Sequence, residues 1–193
     1  MKRLLLIFIL TVSFQLAVKA DDIKDFEIEG ISVGDSLLDY FSKDQILNER
    51  KYIKRGEKYF KDYSKFFKIN NIETFDYIVL YFKSDDKKFI IKGIAGRTIF
   101  KDNIQECYTL QDNIVDEINL LLRNSRLDNL GKIKLTAYPN GESYKTDKSF
   151  YFDDGSLIHT ACYDYSINDT QSRDRLSLMI SSKEYLDWYL TLK

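Results

Sequence analysis

The chain has 193 residues, of which 44% are hydrophobic and 31% charged, with one proline and eight glycines. This composition excludes a low-complexity or linker-rich protein, because such chains carry too few apolar side chains to build a core. The formal net charge of −1 excludes a chain that is basic overall, as general nucleic-acid binders are. We therefore expect no nucleic-acid partner.

Residues 1–20 are predicted to be a signal peptide. Lys2 and Arg3 provide the charged start, an apolar run follows, and the small residues at 18–20 fit a cleavage site. The apolar run is too short to span a bilayer well. Removing these 20 residues from 193 leaves 173, the length of a single domain at 21–193. We predict an exported protein, periplasmic or extracellular, whose mature chain has no transmembrane segment.

The mature chain begins with short elements. Residues 25–33 are predicted to be extended, and two short helices in tandem follow. Gly34, Asp35 and Ser36 precede the first helix, and Ser42 precedes the second. These residues predict helix starts because Ser and Asp side chains accept hydrogen bonds from the free N–H groups there.

Two esterase-like motifs overlap in the same stretch, which reads GISVGDSL at 30–37. Residues 30–34 match G-x-S-x-G, the strand-to-helix turn that exposes a nucleophilic serine. Residues 34–37 resemble the first block of the GDSL (SGNH) hydrolases. That resemblance covers about eight residues and implies a secreted serine esterase with Ser36 as nucleophile, Ser32 being the second candidate.

The esterase hypothesis requires a histidine base, and His159 is the only histidine in the chain. The family places an aspartate three residues before this histidine, where the present chain has Ser156. Asp153, Asp154 or Asp164 could orient His159 instead. The alternative interpretation is that Ser36 caps a helix and that His159 is a half-buried strand residue.

The stretch 49–68 carries eight Lys or Arg against three acids, a net charge of +5. Tyr52, Tyr59 and Tyr63 suit one face of a helix, but Gly56 weakens a helix, so a strand remains an alternative.

The pattern of this basic stretch favours a solvated surface on which long lysine stems cover aromatic core residues. The alternative is a contact surface for an anionic partner, formed by four residues, Lys51, Lys54, Arg55 and Lys58.

The centre of the chain is predicted to be a hairpin followed by a helix. Residues 75–83 and 88–100 are rich in β-branched and aromatic residues and flank a polar turn. From about 103 to 126, apolar residues recur with the spacing of one helix face. We predict that the sheet packs on this long amphipathic helix.

Beyond Gly131 the chain is predicted to return to strands at 132–138, 149–152, 156–165 and 173–180, and to end in a helix capped by Ser181. Strands that come as hairpins favour an α+β fold with a mainly antiparallel sheet. The short helices near the amino terminus and the carboxy-terminal helix complete this expectation.

Cys107 and Cys162 are the only cysteines. In an exported chain two cysteines favour a disulfide, which would close a loop of about 56 residues and stabilise the fold by roughly 4 kcal/mol. The alternative is two buried thiols that behave as small hydrophobic side chains.

No complete catalytic set, metal site or nucleotide motif emerges from the sequence, and we expect no cofactor. The prediction is therefore a non-enzymatic exported domain that binds an unknown protein or an anionic envelope surface. The secreted serine esterase is the alternative.

Overall fold

An eight-stranded antiparallel sheet organises the computed structural model. The structure describes residues 22–55, 57–68, 72–101, 103–122, 125–136, 142–166 and 173–192. These residues form three α-helices and ten strands, which confirms a mixed α+β fold with a large antiparallel sheet. The predicted signal peptide lies outside the described residues.

The large sheet consists of two four-stranded meanders. The first contains β3 (Lys51–Arg55), β4 (Lys58–Lys68), β5 (Tyr77–Lys83) and β6 (Ile91–Ile99). The second contains β7 (Arg126–Lys134), β8 (Tyr144–Tyr151), β9 (Leu157–Asp164) and β10 (Arg175–Ser181). The two meanders join where β6 pairs with β10, so the order across the sheet is β3-β4-β5-β6-β10-β9-β8-β7.

The predicted extended stretch at 25–33 is instead a short 3-10 helix (Ile23–Asp25) and a small hairpin of β1 (Glu27–Ile28) and β2 (Ile31–Ser32). Glu29 and Gly30 both have positive φ, 55° and 71°, as a two-residue hairpin turn requires.

Two short helices follow the small hairpin, as predicted. The first is a 3-10 helix (Leu37–Asp39) capped by Ser36, and the second is α1 (Lys43–Glu49), capped by Ser42.

Residues 51–55 and 58–68 are strands β3 and β4, so the helical interpretation of the stretch 49–68 is wrong. Ile53 and Tyr63 are buried on one face of the sheet, whereas Phe66 is buried on the opposite face. Strand alternation explains this division, because it places apolar residues of β4 in both cores.

The predicted helix at 103–126 is α2 (Ile104–Leu121), and its last predicted turn is wrong. Leu122 already has extended backbone, and Arg126 starts β7, which pairs with β8 from Tyr151 onward. Pairing with β8 gives the backbone of this segment hydrogen bonds that a solvated helix end would lack. The strand predicted from 132 therefore starts six residues earlier.

The sheet has a helix on each face, so the prediction that it packs on one long helix is not confirmed. On the first face α2 packs most closely on β9 and β10, and its buried Gln111 hydrogen-bonds Thr146 and Thr160. On the second face lies α3 (Lys183–Thr191), whose Tyr185 contacts Tyr63 and Tyr81. The cap of α3 is Ser182 rather than the predicted Ser181, which ends β10.

A disulfide joins Cys107 of α2 to Cys162 of β9, with 6.0 Å between the Cα atoms. This confirms the predicted pair and fixes α2 to the first face. None of the helices among the described residues combines the length and the apolar composition needed to cross a membrane.

Candidate functional site

The second face carries a row of positive charges beside α3. Strand alternation and register place on it one cation from each of β3, β4, β6, β10 and β8, together with aromatic rings of β4, β5 and β9. Tyr165, which follows the end of β9, belongs to this face through its contact with Arg175. We call this set the cationic face: Lys51, Lys65, Arg97, Arg175, Lys145, Phe67, Tyr77, Tyr163 and Tyr165. The site therefore spans both meanders.

In the first meander, Lys51 and Lys65 of the cationic face lie against one ring. Their Nζ atoms are 5.5 and 5.4 Å from the ring centroid of Phe67. The guanidinium of Arg97 lies 5.8 Å from the ring centroid of Tyr77. Each ring face attracts a cation and holds it in place.

In the second meander, Arg175 lies over two tyrosines. Its guanidinium carbon is 4.8 Å from the ring centroid of Tyr163 and 5.1 Å from that of Tyr165. The two rings are themselves stacked, with their planes 10° apart. The guanidinium therefore has a fixed orientation on a tyrosine platform.

Few carboxylates balance these charges. On the second face, the described positions of β5, β6, β10 and β9 include no Asp or Glu, and Asp62 of β4 lies beside α3, where it accepts a hydrogen bond from Trp188. Among the described residues, no carboxylate lies within ion-pair distance of Arg97 or Arg175. The Nε atoms of both arginines are enclosed and have no hydrogen-bond partner in that part of the chain.

The local potential is positive. Burial lowers the pKa of Lys65, and the charges of Arg97 and Lys51 lower it further. Neighbouring positive charges destabilise the protonated form of Lys65, and an anion that approaches would stabilise it. This surface is therefore suited to a negatively charged ligand.

A carboxylate network closes the far end of the cationic face. Asp147 is buried, accepts a hydrogen bond from Lys145, and lies 2.9 Å from His159 Nε2 through its Oδ1. Burial raises the pKa of Asp147, but the bonds from His159 and Lys145 outweigh burial and hold it well below its usual range. Ser149 donates to Asp147 at 3.3 Å, rather than to the imidazole.

The two esterase candidates lie in separate hydrogen-bond environments. The Ser36 hydroxyl donates to the carbonyl of Lys88 at 2.7 Å and accepts from the N–H of Leu38 at 3.1 Å. His159 is bonded to Asp147, not to any of the three acids named from the sequence. Among the described residues, no hydrogen bond links Ser36 to His159.

The four predicted contact residues lie in the β3–β4 hairpin, at one edge of the sheet. All are exposed, and three have partners other than carboxylates. Lys51 contacts Phe67 on the second face, Lys54 lies 5.5 Å from the ring of Tyr59, and Arg55 donates to the carbonyl of Leu192. Lys58 pairs with Arg55 across the hairpin.

A separate cleft of about 360 Å³ is lined by Lys61, Asp62, Tyr63, Lys83 and Asp85. Its charges nearly cancel, so it shows no preference for either sign. Among the described residues, no cluster of three or more His, Cys, Asp and Glu side chains could hold a metal ion.

Sequence reasoning missed Arg97, Arg175 and Asp147. The two arginines lie in strands that were predicted, but 78 positions separate them, and only the β6–β10 pairing brings them together. Asp147 could have been found, because the turn at 153–155 fixes a register that pairs Ser149 with His159.

Comparison with known proteins gives no match to a family model, to a curated protein or to a solved structure. The function is therefore argued from the geometry.

Proposed function

We propose that this protein is a non-enzymatic exported domain that binds an anionic partner, either an acidic protein or an anionic envelope polymer. The first contact is the β3–β4 hairpin with Lys51, Lys54, Arg55 and Lys58. The observation that carries the proposal is an exposed edge hairpin whose cations have no carboxylate partner among the described residues.

Two further features support the proposal. The hairpin continues into the cationic face, so positive charge extends from the edge to the centre of the sheet. The disulfide suits an oxidising compartment outside the cytosol, where the predicted signal peptide would deliver the chain.

The test measures binding of two labelled polyanions, poly-L-glutamate as a substitute for an acidic protein and polygalacturonate as a substitute for an envelope polymer. Fluorescence anisotropy is recorded for the wild-type protein and for a hairpin variant in which Lys51, Lys54, Arg55 and Lys58 are replaced by Glu. We expect the wild type to bind at least one polymer and the hairpin variant to bind neither, because the edge charge is reversed.

The control variant carries the same charge change at four exposed lysines elsewhere, Lys43, Lys87, Lys101 and Lys134. The control variant should keep most of the binding, because the charge of the hairpin itself is unchanged. Lysines on an edge strand also prevent sheet-to-sheet association. If the wild type binds neither polymer, or the hairpin variant still binds, the lysines serve only that protective role and the proposal is wrong.

A further inference from the structure

The cationic face has the dimensions of a site for a chain molecule. Its cations run from β3 to β8, six strand spacings apart, which corresponds to about 29 Å at roughly 4.8 Å per spacing. Successive cations are separated by one or two spacings, about 5–10 Å. A single small anion could engage only one or two of them, whereas a polymer with regularly spaced charges could engage several at once.

The surroundings exclude a flat surface as the ligand. α3 lies on the same face, where it packs on β6 and its Tyr185 contacts Tyr63 and Tyr81. An α-helix with side chains is about 10 Å across, so the strand side chains beside α3 lie in a recess that a membrane plane would not reach. A narrow, flexible chain can enter such a recess.

The use of the aromatic rings argues against nucleic acid. Stacking of bases requires free ring faces. Here the faces of Phe67, Tyr77 and Tyr163 are occupied by Lys or Arg side chains of the protein itself. The rings therefore hold cations in place for charge recognition.

The hydrogen-bonding groups of the face favour a carbohydrate over a peptide. Strand backbones in the sheet interior pair with each other, so an extended peptide finds no backbone partners there, as it would at a sheet edge. What the face offers is the guanidinium groups of Arg97 and Arg175 beside two half-buried tyrosines, Tyr77 and Tyr163, each of which carries a hydroxyl group. Guanidinium groups bind carboxylates in a fork geometry, and hydroxyl groups match sugar hydroxyls.

We propose that the cationic face is a binding site for an acidic polysaccharide, with Arg97 and Arg175 as its central anion contacts. This inference rests on the proposed function and specifies the ligand class and a second contact region. The hairpin makes the outer contact with the polymer, and the two arginines make the inner contact across the β6–β10 junction.

The experiment compares three proteins on labelled polygalacturonate: the wild type, the double variant Arg97→Gln/Arg175→Gln, and the control Lys43→Gln/Lys87→Gln, which removes two exposed positive charges outside the cationic face. We expect the double variant to bind at least about tenfold more weakly and the control to stay within about twofold of the wild type. The salt dependence of binding should also become shallower in the double variant only, because fewer cations then contact the polymer.

A competition series tests the ligand class. Unlabelled polygalacturonate should displace the label at a lower charge concentration than poly-L-glutamate, inorganic polyphosphate or a dT20 oligonucleotide. If any of these three competes equally well or better, the assignment to an acidic polysaccharide is wrong. Neutral dextran should not compete, because it has no charge.

The two proposals fail in different ways. If the hairpin variant loses binding and the Arg97→Gln/Arg175→Gln variant keeps it, the inner site is wrong and the proposed function stands. If the wild type binds none of the polymers, the proposed function fails first. Circular dichroism checks that each variant is folded. If the Gln variant does not fold, the variant Arg97→Lys/Arg175→Lys replaces it. Binding by this Lys variant that equals the wild type would overturn the role of the guanidinium fork.

Discussion

Asp147 shows how one buried acid can connect several basic groups. It accepts hydrogen bonds from Lys145 and Ser149 and pairs with His159. Its side chain is only 6% exposed, so its partners are not replaced by water. The predicted strand began at Ser149, five residues after β8 begins at Tyr144, and this acid therefore lay outside the predicted strand.

Asp147→Asn is expected to lower the free energy of unfolding at pH 7 by roughly 1.5–3 kcal/mol, because charge-assisted hydrogen bonds are lost. The folded pKa of Asp147 lies below its usual value, so its contribution is present above about pH 4 and is lost as the pH falls further. Urea unfolding at pH 7, 5 and 3 should show the difference between wild type and variant shrinking at pH 3.

The matched control is Asp153→Asn, which changes an exposed acid in the adjoining turn. It should leave stability close to that of the wild type at each pH. A deficit of Asp147→Asn that is the same at all three pH values would mean that packing, rather than charge, explains the role of Asp147.

Ser36 has the contacts of a helix cap. Its hydroxyl serves the 3-10 helix on one side and the carbonyl of Lys88 on the other. The sequence alone permitted either a cap or a nucleophile, because both place a serine just before a helix. The hydrogen bonds of the Ser36 hydroxyl distinguish a cap from a nucleophile. They could not be derived from a motif of eight residues.

Ser36→Ala is expected to lower the free energy of unfolding by about 1 kcal/mol, the usual cost of a lost cap. Ser36→Thr keeps a hydroxyl and should retain most of the stability. The wild type should form no covalent adduct with a fluorophosphonate probe, as judged by intact mass, because no base contacts this hydroxyl among the described residues. An adduct located at Ser36 would instead establish the serine esterase alternative.

At the scale of elements, the hydrophobic periodicity of the sequence predicted those hairpins and helices that depend on local sequence. The hairpins around residues 84–87 and 153–155 and the body of α2 follow from alternation and helical spacing. Residues 49–68 were ambiguous because β4 contributes apolar side chains to both cores, which removes a single apolar face from its pattern. The end of α2 was misplaced because pairing with β8, not the local sequence, stops the helix.

The disulfide joins α2 to β9, and its removal has a defined cost. Cys107→Ser/Cys162→Ser is expected to lower the free energy of unfolding by roughly 4 kcal/mol, since 55 positions separate the cysteines. The measurement is urea unfolding with and without dithiothreitol.

Reductant should bring the wild type to the stability of the double variant and leave the variant unchanged. If reduction has no effect on the wild type, α2 is held on the sheet by apolar packing and by Gln111 alone.

At the scale of the whole molecule, the order of strands is the property that sequence could not provide. Antiparallel neighbours within each meander follow one another in the chain, with connections of two to ten residues. The β6–β10 junction joins segments on either side of α2, and no local signal specifies it. The cationic face depends on this junction, so its residues were individually visible in the sequence but not recognisable as a site.

The crossed placement of the two longer helices has a consequence for biogenesis. α2 follows the first meander but packs on β9 and β10 of the second, while α3 follows the second meander and covers Tyr63 and Tyr81 of the first. In a chain that emerges amino end first, α2 therefore precedes β9 and β10, the strands on which it packs most closely. We expect α2 to dock only after the second meander has been synthesised, so that the complete core forms late in translation.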